Sequence, residues 1–586
     1  MLPQSLGSLF HYCSKTKAFN YGISLHAVAI KAGMLCIINS NHMLNMYAKC
    51  GKLSLAHQMF DEMSERNLVT WSALISGYDQ AGMHLMGINL FAKMRKELQP
   101  NEFIFASALS SCASLLEPRL GQQIHAQALK TGYSCISFVS NSLISMYMKC
   151  GECNGAMSVF DCASELSSVS YNTIIAGLVE NKQPERGFEM FKIMCQKGLI
   201  PDRFTFIAVL GTCSAPRDLW RGLQLHCQTI KLNLDFMVTL GNVIITMYTK
   251  FNLMEAAEKV FRLLEEKDII SWNTMIASFS QCEEHAKALS VFKEMDKQVS
   301  QRPDDFSYAS ALSACAGLAS IRHGKQIHAH IIRTRPDEDT GVGNALVNMY
   351  AKCGCIEYAC IVFNQMGCHN LVSWNSIIAG FANHGLGENA LEIFECMKDV
   401  GINPDSVTFI GLLTACNHAG LVDEGQAFFN SMDTIYAITP DIEHFSCLID
   451  LLGKAGRLSE AEAYVQKYHF GHDPVVLGCL LSACRLHGDI VTGKRVAMRL
   501  LNLQPVTTSP YVLLSNLYAS DGKWVDVAEA RKMLKSSGLK KEPGWSLIDV
   551  DGAVQKFTIG DFAHSMMEEM VDILKILNWT GDEEFL

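Results

Sequence analysis

The chain lacks the basic excess that marks most nucleic-acid binders. It carries 49 Lys and Arg against 59 Asp and Glu over 586 residues, a formal net charge of −10. That balance argues against generic phosphate binding, so any contact with a polyanion must rest on placed residues. Long apolar runs are also missing: nothing approaches the ~18 residues of a membrane-spanning helix. Proline is scarce, with 14 residues, and charged residues make up only 18%, which excludes a disordered chain. No signal peptide opens the sequence, so the 22 Cys read as small buried hydrophobes in a reducing compartment and not as a disulfide framework. The opening segment MLPQSLGSLFHYCSKTKAF lacks the Arg-rich amphipathic character of a transit peptide and reads as part of a first repeating unit.

What is present is repetition. A single core stops growing well below this length, so the chain holds several domains or one architecture that lengthens without thickening. The phrase NMYAKCG at Tyr47 returns as SMYMKCG at Tyr147, TMYTKFN at Tyr248 and NMYAKCG at Tyr350. A second phrase follows each, at Trp71, Tyr171, Trp272 and Trp374, and a third ends at Cys112, Cys213, Cys315 and Cys416. The superperiod is about 100 residues, divided into three units of roughly 31–36. Inside a unit the apolar residues fall at helical spacing. Trp272, Met275, Ile276 and Phe279 share one face of a first helix, and Ala288, Leu289, Val291, Phe292 and Met295 suit a second. Many units close on Pro-Asp, as at Asp202, Asp304 and Asp405, where proline stops the helix. One helical hairpin cannot bury its own apolar face, whereas stacked hairpins bury a continuous seam. The predicted fold is all-α: a right-handed superhelical solenoid of antiparallel helix pairs, with the first helices lining the concave surface.

Zinc chemistry is short of ligands. Cys150 and Cys153 form the one C-x-x-C, and Cys150 is the ordinary repeat cysteine that matches Cys50 and Cys353. A zinc deaminase needs H-x-E followed by P-C-x-x-C. None of the 19 His has Glu two places later, and no Cys follows Cys484. His26, His125, His226 and His328 fall one per superperiod and read as packing residues at a hairpin interface. Neither catalysis nor a metal or cofactor is expected of this chain.

The units resemble the pentatricopeptide repeats of plant proteins of the P-L-S subclass. S-type units carry the MY-x-K-C-G phrase, L-type units carry GQQIHA, GLQLHC or GKQIHA, and P-type units end in Pro-Asp. The order L, S, P runs four times and a diverged L and S pair follows at 406–441 and 442–473, so that 1–473 forms the repeat array. Residues 474–538, with LLSACRLHGD and YVLLSNLYASDGKWVDVAEARKMLKSSG, resemble the two tetratricopeptide-like extension motifs of editing factors. Residues 539–586 resemble the tail that joins those motifs to a cytidine-deaminase-like domain. The chain stops at Leu586 without that domain, so the resemblance implies a deaminase recruited in trans.

The resemblance also implies an RNA code, one base per repeat, read by the fifth and last residues of each unit. Carried over, it gives Asn41 with Asn67 (C or U), Ser72 with Asn101 (A), Asn141 with Ser167 (C) and Asn172 with Asp202 (U). Asn242 with Asp268 and Asn273 with Asp304 imply U, Asn344 with Asn370 implies C or U, and Asn375 with Asp405 implies U. Ser446 with Asp473 implies G in an irregular unit. Val69, Val169, Ile270 and Val372, second in their units, would pack on base faces. The L-type fifth positions, Ala106, Ile207, Ala309 and Ile410, cannot hydrogen-bond a base and read as spacers. The competing reading of each Asn or Asp is a helix cap.

The resulting expectation is a site-recognition factor for C-to-U editing of single-stranded RNA in a plant organelle, a mitochondrion ahead of a chloroplast. Residues 474–586 would dock a deaminase-bearing or other editing partner, with the amphipathic stretch MMEEMVDILKIL at Met566 as a candidate partner helix. The alternatives are an RNA-stabilising or splicing factor that uses the same readers, and a protein-binding scaffold of helical repeats.

Overall fold

The computed structural model describes residues 3–163, 165–213, 218–234, 236–298, 302–334, 339–468, 473–503, 508–539, 544–550 and 553–558. The stretch at Met566 and most of 539–586 lie outside them. Over the described residues the chain forms 32 α-helices, one short 3-10 turn and a two-stranded antiparallel hairpin, Trp545–Val550 with Ala553–Thr558. By compactness it divides into 1–274 and 275–586, and the division falls inside the helix Ile269–Gln281.

In residues 1–274 the first helices include Ile37–Lys49, Leu68–Gln80, Glu102–Leu115, Ser137–Lys149, Ser168–Glu180, Arg203–Leu210 and Val238–Lys250. Each packs against its own second helix, and each up to Arg203–Leu210 also packs against the next first helix. Residues 275–586 repeat the scheme with Asp305–Gly317, Thr340–Lys352, Leu371–Asn383, Ser406–Ala419, Ile442–Lys454, Pro474–His487 and Ser509–Ser520. The pairwise stacking of antiparallel helices is the architecture that the repeats call for.

The recurring phrases have packing reasons. A buried aromatic of each P-type first helix meets a Phe from the preceding second helix edge to face: Phe60 with Trp71 at 4.7 Å, Phe160 with Tyr171 at 5.1 Å, Phe261 with Trp272 at 5.1 Å, and Phe363 with Trp374 at 5.2 Å. The final residue of the MY-x-K-C-G phrase leaves the helix in the left-handed conformation, with φ of +72°, +79° and +80° at Gly51, Gly151 and Gly354. In the third superperiod this position is Asn252, at φ +57°, the residue that tolerates the conformation best after glycine.

Each invariant Tyr of that phrase accounts for the spaced histidines. Nδ1 of His26, His125, His226 and His328 lies 2.7, 3.0, 2.7 and 2.8 Å from the hydroxyl of Tyr47, Tyr147, Tyr248 and Tyr350. These histidines tie an L-type second helix to the following S-type first helix, as packing residues. Burial lowers the pKa of His125 and His328. It also lowers that of His26, against an opposing pull from Glu62.

All 22 cysteines are free thiols, and among the described residues no cluster of His, Cys, Asp and Glu could hold a metal ion. Burial pushes Cys112, Cys315, Cys416 and Cys484 up to about 12. Such thiols stay protonated and behave as hydrophobes. No described helix is long and apolar enough to cross a membrane.

Candidate nucleic-acid interface

The last residue of each repeat precedes the next first helix, where four backbone N–H groups lack intrahelical acceptors. Asn67 accepts from the Thr70 N–H at 3.0 Å, Asp202 from Thr205 at 2.8 Å and Asp268 from Ser271 at 2.8 Å. Asp304 accepts from Ser307 at 2.9 Å, Asn370 from Ser373 at 3.0 Å and Asp405 from Thr408 at 2.9 Å. Asn101, Ser167 and Asp473 also cap their helices. The capping reading therefore holds for every last-position residue. In most of these caps the third helical residue is Ser or Thr, and at Thr70, Thr205, Ser307, Ser373 and Thr408 its hydroxyl accepts the cap's own N–H in return.

The cap oxygen does more than cap. In residues 1–274 it accepts the side-chain amide of its own repeat's fifth residue: Asn41 donates to Asn67 at 3.2 Å, Asn172 to Asp202 at 3.0 Å and Asn242 to Asp268 at 3.3 Å. In residues 275–586 Asn344 donates to Asn370 at 3.2 Å and Asn375 to Asp405 at 3.0 Å. Fifth and last residues distant in sequence thus form one polar unit, locked by the third-position hydroxyl. The carbonyl oxygens of Asn41 and Asn375 accept from the hydroxyls of Thr70 and Thr408, both at 2.7 Å. Those of Asn141, Asn172, Asn242 and Asn344 are buried without a protein donor. An unsatisfied buried acceptor costs about 1–3 kcal/mol, a cost that turning the amide towards a ligand donor would relieve.

The other pairs differ. Ser72 and Asn101 line one cleft but are not bonded to each other, nor are Asn141 and Ser167. The Ser446 hydroxyl turns back to the Ile442 carbonyl at 2.7 Å, away from Asp473. Asn273 and Asp304 occupy the equivalent helical positions on either side of the division at 274.

Charge on the caps is secured locally. Burial pushes the pKa of Asp202 and Asp405 up, but bonds from the Thr N–H, the Thr hydroxyl and the Asn amide together outweigh it and hold both below the ordinary carboxylate value. Each is an ionised acceptor at neutral pH.

A cleft of about 680 Å³ gathers the first two pairs: Asn41, Asn67, Ser72 and Asn101 line it together, with Ile38, Val69, Phe103 and Lys49. Val69, Val169, Ile270 and Val372 are each more than half exposed, an unusual placement for β-branched apolar side chains. Ala106 is buried, and Ile207, Ala309 and Ile410 are half-buried.

Two sets of residues escaped the sequence reading. One is the third-position Ser and Thr, whose signal was a hydroxyl three places after most of the last-position residues. The other is Lys49, Lys149, Lys250, Lys352 and Lys454, each exposed in the last turn of an S-type first helix. The K of the repeat phrase was their signal.

Comparison with known proteins agrees with the repeat architecture. Residues 166–215, 267–317 and 369–418 match the PPR repeat family, and 40–68, 69–97, 138–166, 242–269, 344–371 and 443–467 match the PPR repeat. Residues 487–549 match the E motif. The Arabidopsis thaliana pentatricopeptide repeat-containing protein At5g09950 is 39% identical over 95% of this chain, which spans 57% of that relative. At3g47840 of the same plant is 36% identical over 96% of this chain and 80% of its own length. Other similar Arabidopsis proteins carry organelle names, At1g11290 chloroplastic and At3g53360 mitochondrial. Among solved structures, the pentatricopeptide repeat protein PPR10 in complex with an 18-nt psaJ RNA element superposes with a TM-score of 0.56 at 17% identity. The match covers 91% of this chain and 84% of that one.

Proposed function

Because this chain belongs to the pentatricopeptide repeat family, we propose that it binds single-stranded RNA of a plant organelle sequence-specifically, as a site-recognition factor for C-to-U editing. The observation that carries the proposal is the polar unit of fifth and last residues, built five times from the same bonds. Side-chain amides and carboxylates offer the donors and acceptors that a Watson–Crick edge requires. The proposed target, 5′ to 3′, is (C/U)-A-n-C-U-n-U-U-n-(C/U)-U-n-(G), with n opposite the L-type units.

Residues 474–586 hold the partner surface in this reading. Their E motif supports it, as do Val491, Trp524 and Val525, which stand in the first turns of Ile490–Leu501 and Trp524–Ser536 at 80, 67 and 83% exposure. Apolar side chains so exposed suit a protein contact. The partner supplies the deaminase. The organelle names of the relatives support the location.

Filter binding tests the RNA claim. The chain should retain the predicted string in preference to a scrambled RNA of equal composition; equal retention of both overturns it. For editing, RNA from plants that lack the protein should show an unconverted cytidine just downstream of a match to the string. Full conversion at every such site would leave RNA binding without editing.

A further inference from the structure

The L-type units have no polar reader, yet their first helices keep the row of exposed apolar second residues, and three of them make it aromatic where Ser406–Ala419 has Val407. Phe103, Phe204 and Phe306 stand second in Glu102–Leu115, Arg203–Leu210 and Asp305–Gly317, and each is 55–58% exposed. Three exposed Phe at one repeat position contradict a pure packing role, because burial is what a Phe side chain gains from folding. Phe103 lines the same cleft as Val69 and Ile38, so the row of second residues continues from S-type through P-type to L-type units there. The Arg203 guanidinium lies 4.6 Å from the Phe204 ring centre, adding a cation to that platform.

We propose that the three L-type units with Phe hold their unread nucleotides by stacking, each Phe presenting its face to one unstacked base whatever its identity. This rests on the RNA-binding reading above and deepens it: those three positions marked n are bound and not skipped. Every base has a π-face, so an aromatic platform gains affinity without selecting sequence. The absence of a polar fifth residue at Ala106, Ile207 and Ala309 is then the complement of the Phe. The Phe103 and Phe138 rings rest 5.7 Å apart at 56°. A base between them needs parallel planes about 7 Å apart, two stacking distances. Their exposure leaves room for that rotation.

The test uses the full chain and four synthetic RNAs: the predicted string, its scramble, the string with an abasic site opposite the unit that begins at Glu102, and the string with each other base placed there. The wild type should lose about tenfold in affinity for the abasic RNA, the loss that stacking of one base implies, and less than about twofold for any base change there. Phe103→Ala should bind the intact string about tenfold more weakly and show no further loss from the abasic site, while Phe103→Tyr should behave as wild type. Selective binding of the string with no abasic penalty would make the L-type units plain spacers and overturn this inference alone. A wild type that does not distinguish string from scramble overturns the RNA reading and the stacking with it, and leaves the exposed Phe row to a protein ligand.

Discussion

At the scale of single residues, recognition and folding share atoms. The Asp202 carboxylate caps the helix Arg203–Leu210, closes a box with Thr205 and receives the Asn172 amide. A change of reader therefore affects stability as well as specificity. Asn172→Ser with Asp202 kept should turn the preference at its base from U towards G, measured by competition among the four RNAs that differ there. An unchanged preference would refute the pairing. The shorter Ser loses the bond to Asp202, so the urea midpoint should also fall, by about 0.5–1.5 kcal/mol equivalent. Thr205→Val separates the two effects. It keeps the reader and its partner but removes the hydroxyl that donates to the carboxylate at 2.9 Å, so it should weaken binding with base preference unchanged. Acid acts on the same carboxylates with a definite sign. Asp202 and Asp405 have depressed folded pKa values, so their contribution to stability is present above the unfolded value of roughly 3.9 and is lost as pH falls through the folded one. Binding at these pairs should therefore be flat from pH 8 to 5. A titration of affinity centred near pH 6 would exclude the ionised carboxylate as acceptor.

At the scale of the helix pair, much was legible and some was not. Periodicity exposed the pairs because each hairpin buries the same stripe, from Trp71 and Phe60 to Trp374 and Phe363. The in-register Asn and Asp could be found by counting. That one oxygen would serve both cap and reader could not, because Ser and Thr at a third position are common at any helix start. The exposed Phe row was hidden for a related reason: an apolar letter in a helical pattern reads as core until the structure turns it outward. The hairpin of Trp545–Val550 and Ala553–Thr558 interrupts an otherwise helical reading, although Asp-Gly at 551–552 is a hairpin dipeptide. Two predictions belong here. Gly354→Ala places a Cβ at φ +80° and should cost about 1 kcal/mol in urea unfolding, whereas Asn252→Gly, at the matching turn, should be neutral or slightly stabilising. The His–Tyr clasps impose a pH dependence on the stack. His26, His125 and His328 have lowered pKa values when folded, so the unfolded chain binds more protons below about 6.5, and stability should drop as pH falls through that value. Replacing the three by Gln should flatten the drop between pH 7 and 5, and an unaltered slope would place the titration elsewhere.

At the scale of the whole molecule, a chain of net charge −10 can bind a polyanion only through placed cations. The exposed lysines of the S-type first helices are the candidates. Lys454 is already paired with Asp450 at 2.8 Å, which leaves Lys49, Lys149, Lys250 and Lys352. Single-strand contacts release about 0.7 counterion per phosphate neutralised, so affinity for the string should fall with salt at a log–log slope of about −3. Lys149→Ala should make that slope shallower by about 0.7, and Lys454→Ala should change it least. A slope near zero would mean that the polar pairs and stacking platforms carry binding alone. The same measurements separate the two tasks assigned to the chain. Trp524→Glu with Val525→Glu, both on largely exposed side chains, should leave the salt slope and the string affinity unchanged and abolish conversion of the target cytidine in a complemented mutant plant. Conversion that survives those substitutions would remove the E-motif face from the recruiting surface. A parallel loss of RNA affinity would show that recognition and recruitment are not separable in this molecule.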